Sequence, residues 1–392
     1  MNKRMWVCLL ISLMLPVFLV GCWDRVEIEE RGFVVGIAID LKEKQQNEEY
    51  TLTMTNQVVV PSGLGTPSQG GSKTEAFINL SASGKGMFEI IREISLLTSR
   101  ALFYPHLQVI VFSADIAKEP NLIGSILDIF IRDHEMRRSV SVVITEGEAK
   151  KVLDIQPEIE DLPAMFIQEI MENSEKNAEA VEPVRVGKVH GYLLRDRSYV
   201  IPRVVLTEDN IDYKGAGVFQ GQTNQMVGIL NGEETEGLNY ITGTVKGGSI
   251  KAEVDGKLNV MEIKGAGSNI KIEGKTKESL EISVDISVEG RIEEKFGTKS
   301  VLQPSYVKEV EKKMADEIEK IANKTIKKVQ EELNVDVLGF SDILRQRHYN
   351  LWEELKGDWD AGENYFSQTP IKVSATVKIK GSGASDQVKE EE

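Results

Sequence analysis

Residues 280–288, Leu-Glu-Ile-Ser-Val-Asp-Ile-Ser-Val, carry an apolar side chain at every second position. Successive side chains of a β-strand point to opposite faces, so this period of two is typical of a strand with one buried face and one solvated face. A long apolar stripe with helical spacing follows at 305–333 and lacks the sustained heptad of a coiled coil. The two segments together predict a sheet that buries one face against a helix of the same chain.

The segments around this strand extend the same pattern. Short strand-like runs at 250–254, 258–263 and 270–273 are separated by turns that contain glycine, which predicts an antiparallel meander. A last alternating run covers 371–379. We therefore expect a C-terminal α+β domain over 241–384, built from the meander and the long helix.

The N-terminal half alternates between strand-like and helix-like segments. Residues 33–39 are almost all apolar, which suits a strand covered on both faces, and the apolar residues of 87–97 recur with helical spacing. Strands and helices go on alternating beyond this helix. This order predicts an N-terminal α/β-type domain over 22–200, with helices packed on its sheet.

The region 201–240 is rich in glycine and turn-forming residues, and the sequence predicts either a linker or a small middle domain there. Pro202 interrupts the apolar run 199–206, which indicates an edge strand or a domain link. Residues 385–392 are predicted to be a disordered acidic tail. The expected fold class is α+β with several domains, whose mixed or antiparallel sheets each have helices packed against them.

The N-terminus has the features of a lipoprotein signal peptide over residues 1–21. Two basic residues precede an apolar run over 5–20, which is shorter than the roughly 20 continuous apolar residues of a spanning helix. The run ends in Leu19-Val20-Gly21-Cys22, the pattern of a bacterial lipobox. Cleavage before Cys22 would leave this residue as a lipid-modified N-terminus, whereas an uncleaved signal anchor would hold the chain at the same membrane.

Cysteine usage favours lipidation of Cys22. The chain has two cysteines, and Cys8 lies within the segment that cleavage would remove. The remaining chain would hold a single thiol and form no internal disulfide. A diacylglyceryl group on Cys22 would supply two acyl chains, which are enough to anchor a protein stably to a membrane.

The charge of the chain bears on its partners. The formal net charge of the 392 residues is −15, and removal of residues 1–21 takes two basic side chains, Lys3 and Arg4, and no acidic one, which gives −17. A chain of this charge is a poor partner for nucleic acid and is repelled by anionic lipid headgroups. Residence at a membrane would then depend on the lipid or on protein partners.

A search for motifs predicts no enzyme, no cofactor site and no metal site. His134-Glu135 has the form of the start of a zinc-binding helix, but Arg138 occupies the position of the second histidine. The run 215–220 lacks the third glycine of a dinucleotide-binding loop, and no serine lies in a Gly-x-Ser-x-Gly elbow. The sequence therefore favours a binding or assembly role.

Several sequence blocks occur in a specific combination. The lipobox is followed directly by Trp23-Asp24, and a Gly-Ile-x-Ile-Asp strand ends at Asp40. Later blocks are Arg100 with 105–111, Asp128 with 132–137, 215–219 with 228–230 and 233–237, and 336–340 with Trp352 and Trp359. By these blocks the chain resembles the Ger(x)C spore germination lipoproteins, the C subunits of nutrient germinant receptors, over nearly its whole length after the signal peptide.

The resemblance implies a fold of several α+β domains and a function without an established enzymatic reaction. It implies a lipid anchor through Cys22 on the outer face of the spore inner membrane. It also implies assembly with integral membrane subunits of the A and B types, which together sense nutrients and trigger germination.

The matched blocks supply candidate contacts with these partners: Trp23, Asp24, Arg132, Asp133, Glu135 and Arg137. Packing of the first two against the domain close to the bilayer is the favoured alternative. The other four fall at helical spacings that permit intrahelical ion pairs, which is the alternative to a charged partner site. The tryptophans of the C-terminal block are expected in the core rather than at an interface, although tryptophan is enriched at binding hot spots.

Two other functions stay open on the sequence alone. An extracytoplasmic solute-binding lipoprotein would capture the nutrient itself, and this class requires two lobes with a cleft between them. An envelope hydrolase is disfavoured because the motifs of hydrolases are missing.

Overall fold

The computed structural model describes residues 30–45, 49–64, 75–133, 135–207, 210–297 and 300–382, together with Trp6. Within these ranges the chain forms two mixed sheets with helices packed against them, which confirms the predicted α+β fold class. The strands are β1 (Arg31–Lys44), β2 (Tyr50–Val59), β3 (Phe77–Gly84), β4 (Ala101–Phe103), β5 (Val109–Ser113), β6 (Ser141–Thr145), β7 (Val184–Arg185), β8 (Tyr199–Leu206), β9 (Ile211–Gln220), β10 (Gln225–Leu230), β11 (Ser249–Val254), β12 (Lys257–Glu273), β13 (Glu281–Lys295) and β14 (Ile371–Ser382). The helices are α1 (Met87–Ser95), α2 (Ala114–Ala117), α3 (Leu122–Arg132), α4 (Ala149–Asp154), α5 (Pro163–Glu172), α6 (Val186–Leu193), α7 (Gly232–Thr242), α8 (Pro304–Lys327), α9 (Phe340–Arg347), α10 (Tyr349–Leu355) and α11 (Tyr365–Gln368).

The larger sheet has ten strands. Its order is β10-β9-β8-β6-β5-β1-β2-β3, and the short strands β4 and β7 pair with β1 and β6. The central strands β1, β5, β6 and β8 run parallel, whereas the strands at both ends of the order pair antiparallel. The N-terminal ends of the parallel strands consequently lie at one edge of the sheet.

Helices cover both faces of the larger sheet. In β5, Ile110 and Phe112 belong to a core shared with α1, α3 and α6, whereas Val109 and Val111 belong to a core shared with α4 and α5. All four side chains are fully buried. Burial on both faces explains why the sequence of this strand is a continuous apolar run without alternation.

The smaller sheet has the order β11-β12-β13-β14, and α8 packs against one of its faces. Met314 and Ile318 of α8 share a core with Val284 and Ile286 of β13. Asp285, between these two strand residues, and Ser287 are solvent-exposed on the other face. The alternation at 280–288 therefore arises, as predicted, because one face of β13 is buried against the helix and the other is exposed.

Helix α8 also completes the outer edge of the smaller sheet. Glu319 and Glu311 accept hydrogen bonds of 2.8 and 2.9 Å from the backbone N–H groups of Ala375 and Ile379 in the edge strand β14. The unpaired N–H groups of an edge strand can pair with a strand of another chain. The two carboxylates accept hydrogen bonds from two of these N–H groups. The helix is followed by a π-helical turn, Lys328–Glu332.

Two segments that were predicted as separate strands form one continuous strand in the structure. Residues 258–263 and 270–273 lie within the single strand β12, whose pairing with β13 shifts register between Ile263 and Gly265 and then continues. The glycines mark a bulge in mid-strand rather than a chain reversal. Because β14 pairs with β13 in parallel, the smaller sheet is mixed and not purely a meander.

Pro202 lies in an internal strand, so the prediction of an edge strand there is wrong. Strand β8 pairs with β6 only at Arg203 and Val204, directly after the proline. Its pairing with β9 shifts register between Pro202 and Val204. The missing N–H of proline therefore coincides with an irregular part of the ladder, where it breaks no regular hydrogen bond.

Residues 201–240, which the sequence suggested as a linker or a small middle domain, supply β9 and β10 of the larger sheet and then α7. Helix α7 approaches α8 closely, since a Cβ atom at Gly237 would lie 2.1 Å from the Thr325 hydroxyl oxygen. That hydroxyl donates a hydrogen bond of 2.9 Å to the Glu234 carbonyl. The domain limits 22–200 and 241–384 stay predictions, and the signal peptide 1–21 and the tail 385–392 lie outside the described residues apart from Trp6.

Candidate partner-binding surface

The predicted anchor and its neighbours lie outside the residues that the structure describes. These are the lipobox residues Leu19, Val20 and Gly21, the lipidation site Cys22, and the candidate contacts Trp23 and Asp24. His134 also lies outside the described ranges. The first described residue of the folded part is Glu30, which leads directly into β1.

The four charged candidate contacts lie at and after the end of α3. Arg132 is the last residue of the helix, and its Nε lies 2.6 Å from the Asp128 carboxylate one turn earlier. The Asp133 carboxylate accepts a hydrogen bond of 2.8 Å from the Glu135 N–H, and the side chains of Glu135 and Arg137 are exposed. Since the helix ends at Arg132, the prediction that all four residues share a helical spacing is wrong, and the recorded intrahelical ion pair is that of Arg132 with Asp128.

An apolar groove borders this segment, and we call it the α1/α3 groove. Its volume is about 530 Å³, its apolar lining comprises Leu52, Met87, Phe88, Leu122, Ile126 and Ile129, and its polar lining comprises Lys85, Ser125, Asp128, Arg132 and Asp133. Phe88 is 59% exposed, with the Arg92 guanidinium 4.8 Å from its ring centre. An exposed apolar strip with charges of both signs at its rim suits an amphipathic segment of another protein.

The C-terminal sequence block forms a joint around one buried carboxylate. Asp336 is 1% exposed. It accepts hydrogen bonds from the backbone N–H groups of Leu338, Gly339, Phe340 and Ser341 and from the indole Nε1 of Trp359. Four of these donors belong to the turn that opens α9, so the carboxylate caps the helix and lies at the positive end of its dipole. Trp359 is buried, as the sequence predicted.

The same joint connects the two sheets. The Ser198 hydroxyl, directly before β8, donates a hydrogen bond of 2.5 Å to the Asp360 carboxylate. The pKa of Asp360 is raised to about 6, chiefly by burial; the hydrogen bond from Ser198 opposes this shift and the charge of Asp336 contributes to it. An ion pair of 2.9 Å joins Arg197 to Asp342 of α9. Sequence patterns carry no signal for these contacts, because the partners are more than a hundred residues apart and each is an ordinary polar residue.

A larger cleft lies where α7 and α8 meet β11, β12 and the segment 172–179. Its volume is about 1150 Å³, and its lining is mostly glutamate and lysine side chains. The pKa of Glu236 in this cleft is raised to about 7, chiefly by burial; the Tyr240 hydroxyl opposes this shift and nearby carboxylates contribute to it. Sequence patterns did not single out this residue, because one glutamate among many on a helix carries no distinguishing mark.

Metal ligation and membrane crossing are two further possibilities for the described part of the chain. No cluster of three or more His, Cys, Asp or Glu side chains within it is arranged to hold a metal ion. Within the same ranges, no helix combines the length and the apolar character needed to cross a membrane.

Comparison with known sequences decides the family. The profile described as "Spore germination protein N-terminal domain" matches residues 24–206, and the profile described as "Spore germination B3/ GerAC like, C-terminal" matches residues 214–383. "Spore germination protein YndF" of Bacillus subtilis (strain 168) is 33% identical over 399 residues, which cover 96% of each chain. The chain belongs to the GerAC family of spore germination proteins.

Further GerAC-family relatives agree in length. "Spore germination protein B3" of Bacillus subtilis (strain 168) is 29% identical and is matched over 94% of its length. A solved structure, "Crystal Structure of the GerBC protein", covers 91% of this chain with a TM-score of 0.59 and 23% identity. This structural likeness shows that the chain shares its overall α+β fold with the GerBC protein.

Proposed function

We propose that the protein is the lipid-anchored C subunit of a nutrient germinant receptor, which assembles with integral membrane A- and B-type subunits on the outer face of the spore inner membrane. The observation that carries the proposal is the match to GerAC-family spore germination proteins over nearly the whole chain. In this role the protein positions or stabilises membrane-embedded partners, and no reaction of its own is required.

The anchor is assigned to Cys22. A diacylglyceryl group on this residue holds the folded part within a thin layer beside the membrane subunits. Confinement raises the effective concentration of the partners, which allows a weak interface to be occupied.

The α1/α3 groove is assigned as the docking surface for a membrane subunit. Its apolar lining and exposed Phe88 supply contact area, and Asp128, Arg132 and Asp133 supply charges at the rim. An amphipathic segment of a partner subunit would bury the apolar strip and pair with the rim.

A pull-down from spores tests the proposal. The tagged protein is extracted from membranes, and mass spectrometry identifies both the captured proteins and the N-terminal peptide. We expect two multi-span membrane subunits and a diacylated Cys22. Recovery of the lipidated protein alone, or with a transporter permease, would contradict the proposed assembly.

Variants of the two cysteines test the anchor. Cys22→Ala removes the lipidation site, and germination with the matching nutrient should fall sharply. Cys8→Ala, within the predicted signal peptide, is the matched control and should germinate as the parent strain does. Normal germination by an unlipidated Cys22→Ala protein would show that the tether is not needed.

Direct capture of a nutrient is the second candidate function, and the 1150 Å³ cleft beside Glu236 is the observation that favours it. A cleft of this volume is large enough for a small molecule. Calorimetry of the purified protein with amino acids, sugars and nucleosides distinguishes the two functions, because saturable heat with one nutrient would support capture by this chain.

A further inference from the structure

Basic side chains collect at the edge of the larger sheet where the parallel strands begin. Strands β1, β4, β5 and β6 run parallel, so the residues that precede them share this edge. We call the following six residues the basic edge: Arg31, Arg100, Arg137, Arg138, Arg185 and Lys188.

One half of the basic edge surrounds the start of β1. Arg31 pairs with Ala101, and a Cβ atom at Gly32 would lie 3.6 Å from the Cβ atom of Arg100. The Arg31 guanidinium lies 4.2 Å from the ring centre of Phe103. The Phe103 ring therefore lies against the Arg31 guanidinium at this edge.

The other half surrounds the start of β6. Arg185 pairs with Ser141, the first residue of β6, and the Gly187 N–H donates a hydrogen bond of 2.9 Å to the Arg138 carbonyl. The two halves are adjacent because Gln108 bridges them. Its N–H donates to the Val35 carbonyl of β1, and its carbonyl accepts from the Ser141 N–H, each at 2.9 Å.

Most of these cations have no carboxylate partner among the described residues. Arg100, Arg137, Arg138, Arg185 and Lys188 are all exposed, and the structure records no ion pair for any of them. Elsewhere on this acidic chain many lysines pair with a nearby glutamate, as Lys246 does with Glu175 and Glu182. The acidic residues nearest in sequence to the basic edge are Glu30, Glu135 and Glu182, and Glu182 pairs with Lys246.

The chain enters the fold at this same edge. Seven residues lie between Cys22 and Glu30, and the eight residue steps from one to the other span about 28 Å when fully extended. A lipid on Cys22 would therefore keep the basic edge within a short distance of the bilayer surface, whereas the edge where the parallel strands end lies on the far side of the sheet.

We propose that the basic edge binds anionic phospholipid headgroups and fixes the orientation of the larger sheet on the membrane. Guanidinium groups bind phosphate oxygens through two parallel hydrogen bonds. Phe103 and the exposed His106 place aromatic rings beside Arg31, and amphipathic rings favour a lipid interface. Net charge alone had indicated repulsion from such headgroups, but the charge of the folded protein is segregated.

The position of the basic edge beside the membrane rests on the proposed anchor at Cys22. The affinity of the basic edge for lipid does not depend on that anchor, so a chain without the anchor can test the affinity. We would use residues 23–392, which retain every strand and helix described above, and check folding by circular dichroism. Sedimentation with vesicles of phosphatidylglycerol and phosphatidylcholine is compared with sedimentation with phosphatidylcholine alone. We expect binding to the anionic vesicles only, and loss of that binding at high salt.

Two double variants with the same change of charge give the decisive comparison. Arg138→Gln with Arg185→Gln should lower the partition coefficient on anionic vesicles about fivefold for each arginine removed. Arg345→Gln with Arg347→Gln, in and at the end of α9, removes two exposed arginines elsewhere and should leave it nearly unchanged. Equal losses in the two variants, or equal binding to neutral vesicles, would overturn the proposal, and neither result would bear on whether Cys22 is lipidated.

Discussion

The indole Nε1 of Trp359 donates a hydrogen bond of 2.8 Å to the carboxylate of Asp336, in the buried joint between the two sheets. The bond connects the capping turn of α9 to the segment that ends at Asp360, which in turn contacts Ser198 beside the larger sheet. One buried carboxylate therefore organises the C-terminal block and holds the surface that meets the N-terminal half.

Replacing this carboxylate should destabilise the protein strongly. Asp336→Asn keeps the shape of the side chain but loses the charge and one acceptor oxygen, which leaves buried N–H groups without a partner. We expect the free energy of unfolding to fall by about 3 kcal/mol. Urea unfolding monitored by tryptophan fluorescence measures this, and Asp316→Asn on the exposed face of α8 is the control, expected within about 0.5 kcal/mol of the parent. Equal stability of the two variants would show that the buried network contributes little.

Asp360 should make the stability of the joint depend on pH. Its pKa is raised from 3.8 to about 6, so the folded state binds the proton more tightly than the unfolded state. The stabilisation from this group is full below pH 3.8 and is lost as the pH rises through 6. Asp360→Asn removes the titration, so its unfolding free energy relative to the parent should rise between pH 4 and pH 7. Parallel stability curves for the two proteins across this range would contradict the assignment.

Gly237 should not tolerate even a methyl group. A Cβ atom there would lie 2.1 Å from the Thr325 hydroxyl oxygen and 2.8 Å from the Ile321 carbonyl oxygen, so α7 and α8 would have to separate. Gly237→Ala should lower the unfolding free energy by about 1–3 kcal/mol despite the better helix propensity of alanine. Gly191→Ala in α6 is the matched control, because its Cβ atom meets only the Arg195 guanidinium at 3.6 Å. The control should be stabilised slightly in thermal unfolding, and a similar gain for Gly237→Ala would show that the helices have room.

The α1/α3 groove should lose its partner when its exposed ring is removed. Phe88→Ser deletes the largest apolar side chain of the groove without opening the core, so folding should be nearly unchanged. Recovery of the membrane subunits in the pull-down should fall about tenfold if this ring is an anchor of the interface. Phe296→Ser removes a ring of similar exposure, 54%, at the end of β13 and serves as the control. An equal yield of partners from both variants would place the interface elsewhere.

Sequence periodicity was sufficient to predict the elements that bury one face and expose the other. The alternation at 280–288 and the stripe at 305–333 correspond to β13 and to α8 with its π-helical turn, because each segment has one face on the core and one in water. Glycine and proline were less informative, since Gly265 marks a bulge and Pro202 a gap in a ladder rather than a turn or a sheet edge. These local signals do not carry information about which strand lies next to the affected one.

The candidate surfaces were predictable only in part. The block 132–137 was recognised from its sequence, yet the end of α3 at Arg132 gives it a loop geometry that helical spacing did not anticipate. The basic edge was missed because Arg31, Arg100, Arg138 and Arg185 are distant in sequence, and only the parallel order of the strands brings them to one edge. Net charge averages over such segregation and therefore hides it.

The parallel pairing of β14 with β13 also dictates an order of assembly. Asp285 and Ser374, joined by a hydrogen bond of 2.8 Å, are separated by 89 positions along the chain. Contacts between such distant segments require closure of a long loop and form late. During synthesis from the N-terminus, the larger sheet can form well before the last strand has been made. Strand β13 and the carboxylates of α8 have no partner in β14 until residues 371–382 have been synthesised. A chain shortened by this single strand would therefore keep its larger sheet but expose an unfinished edge, and would be a substrate for proteases and aggregation.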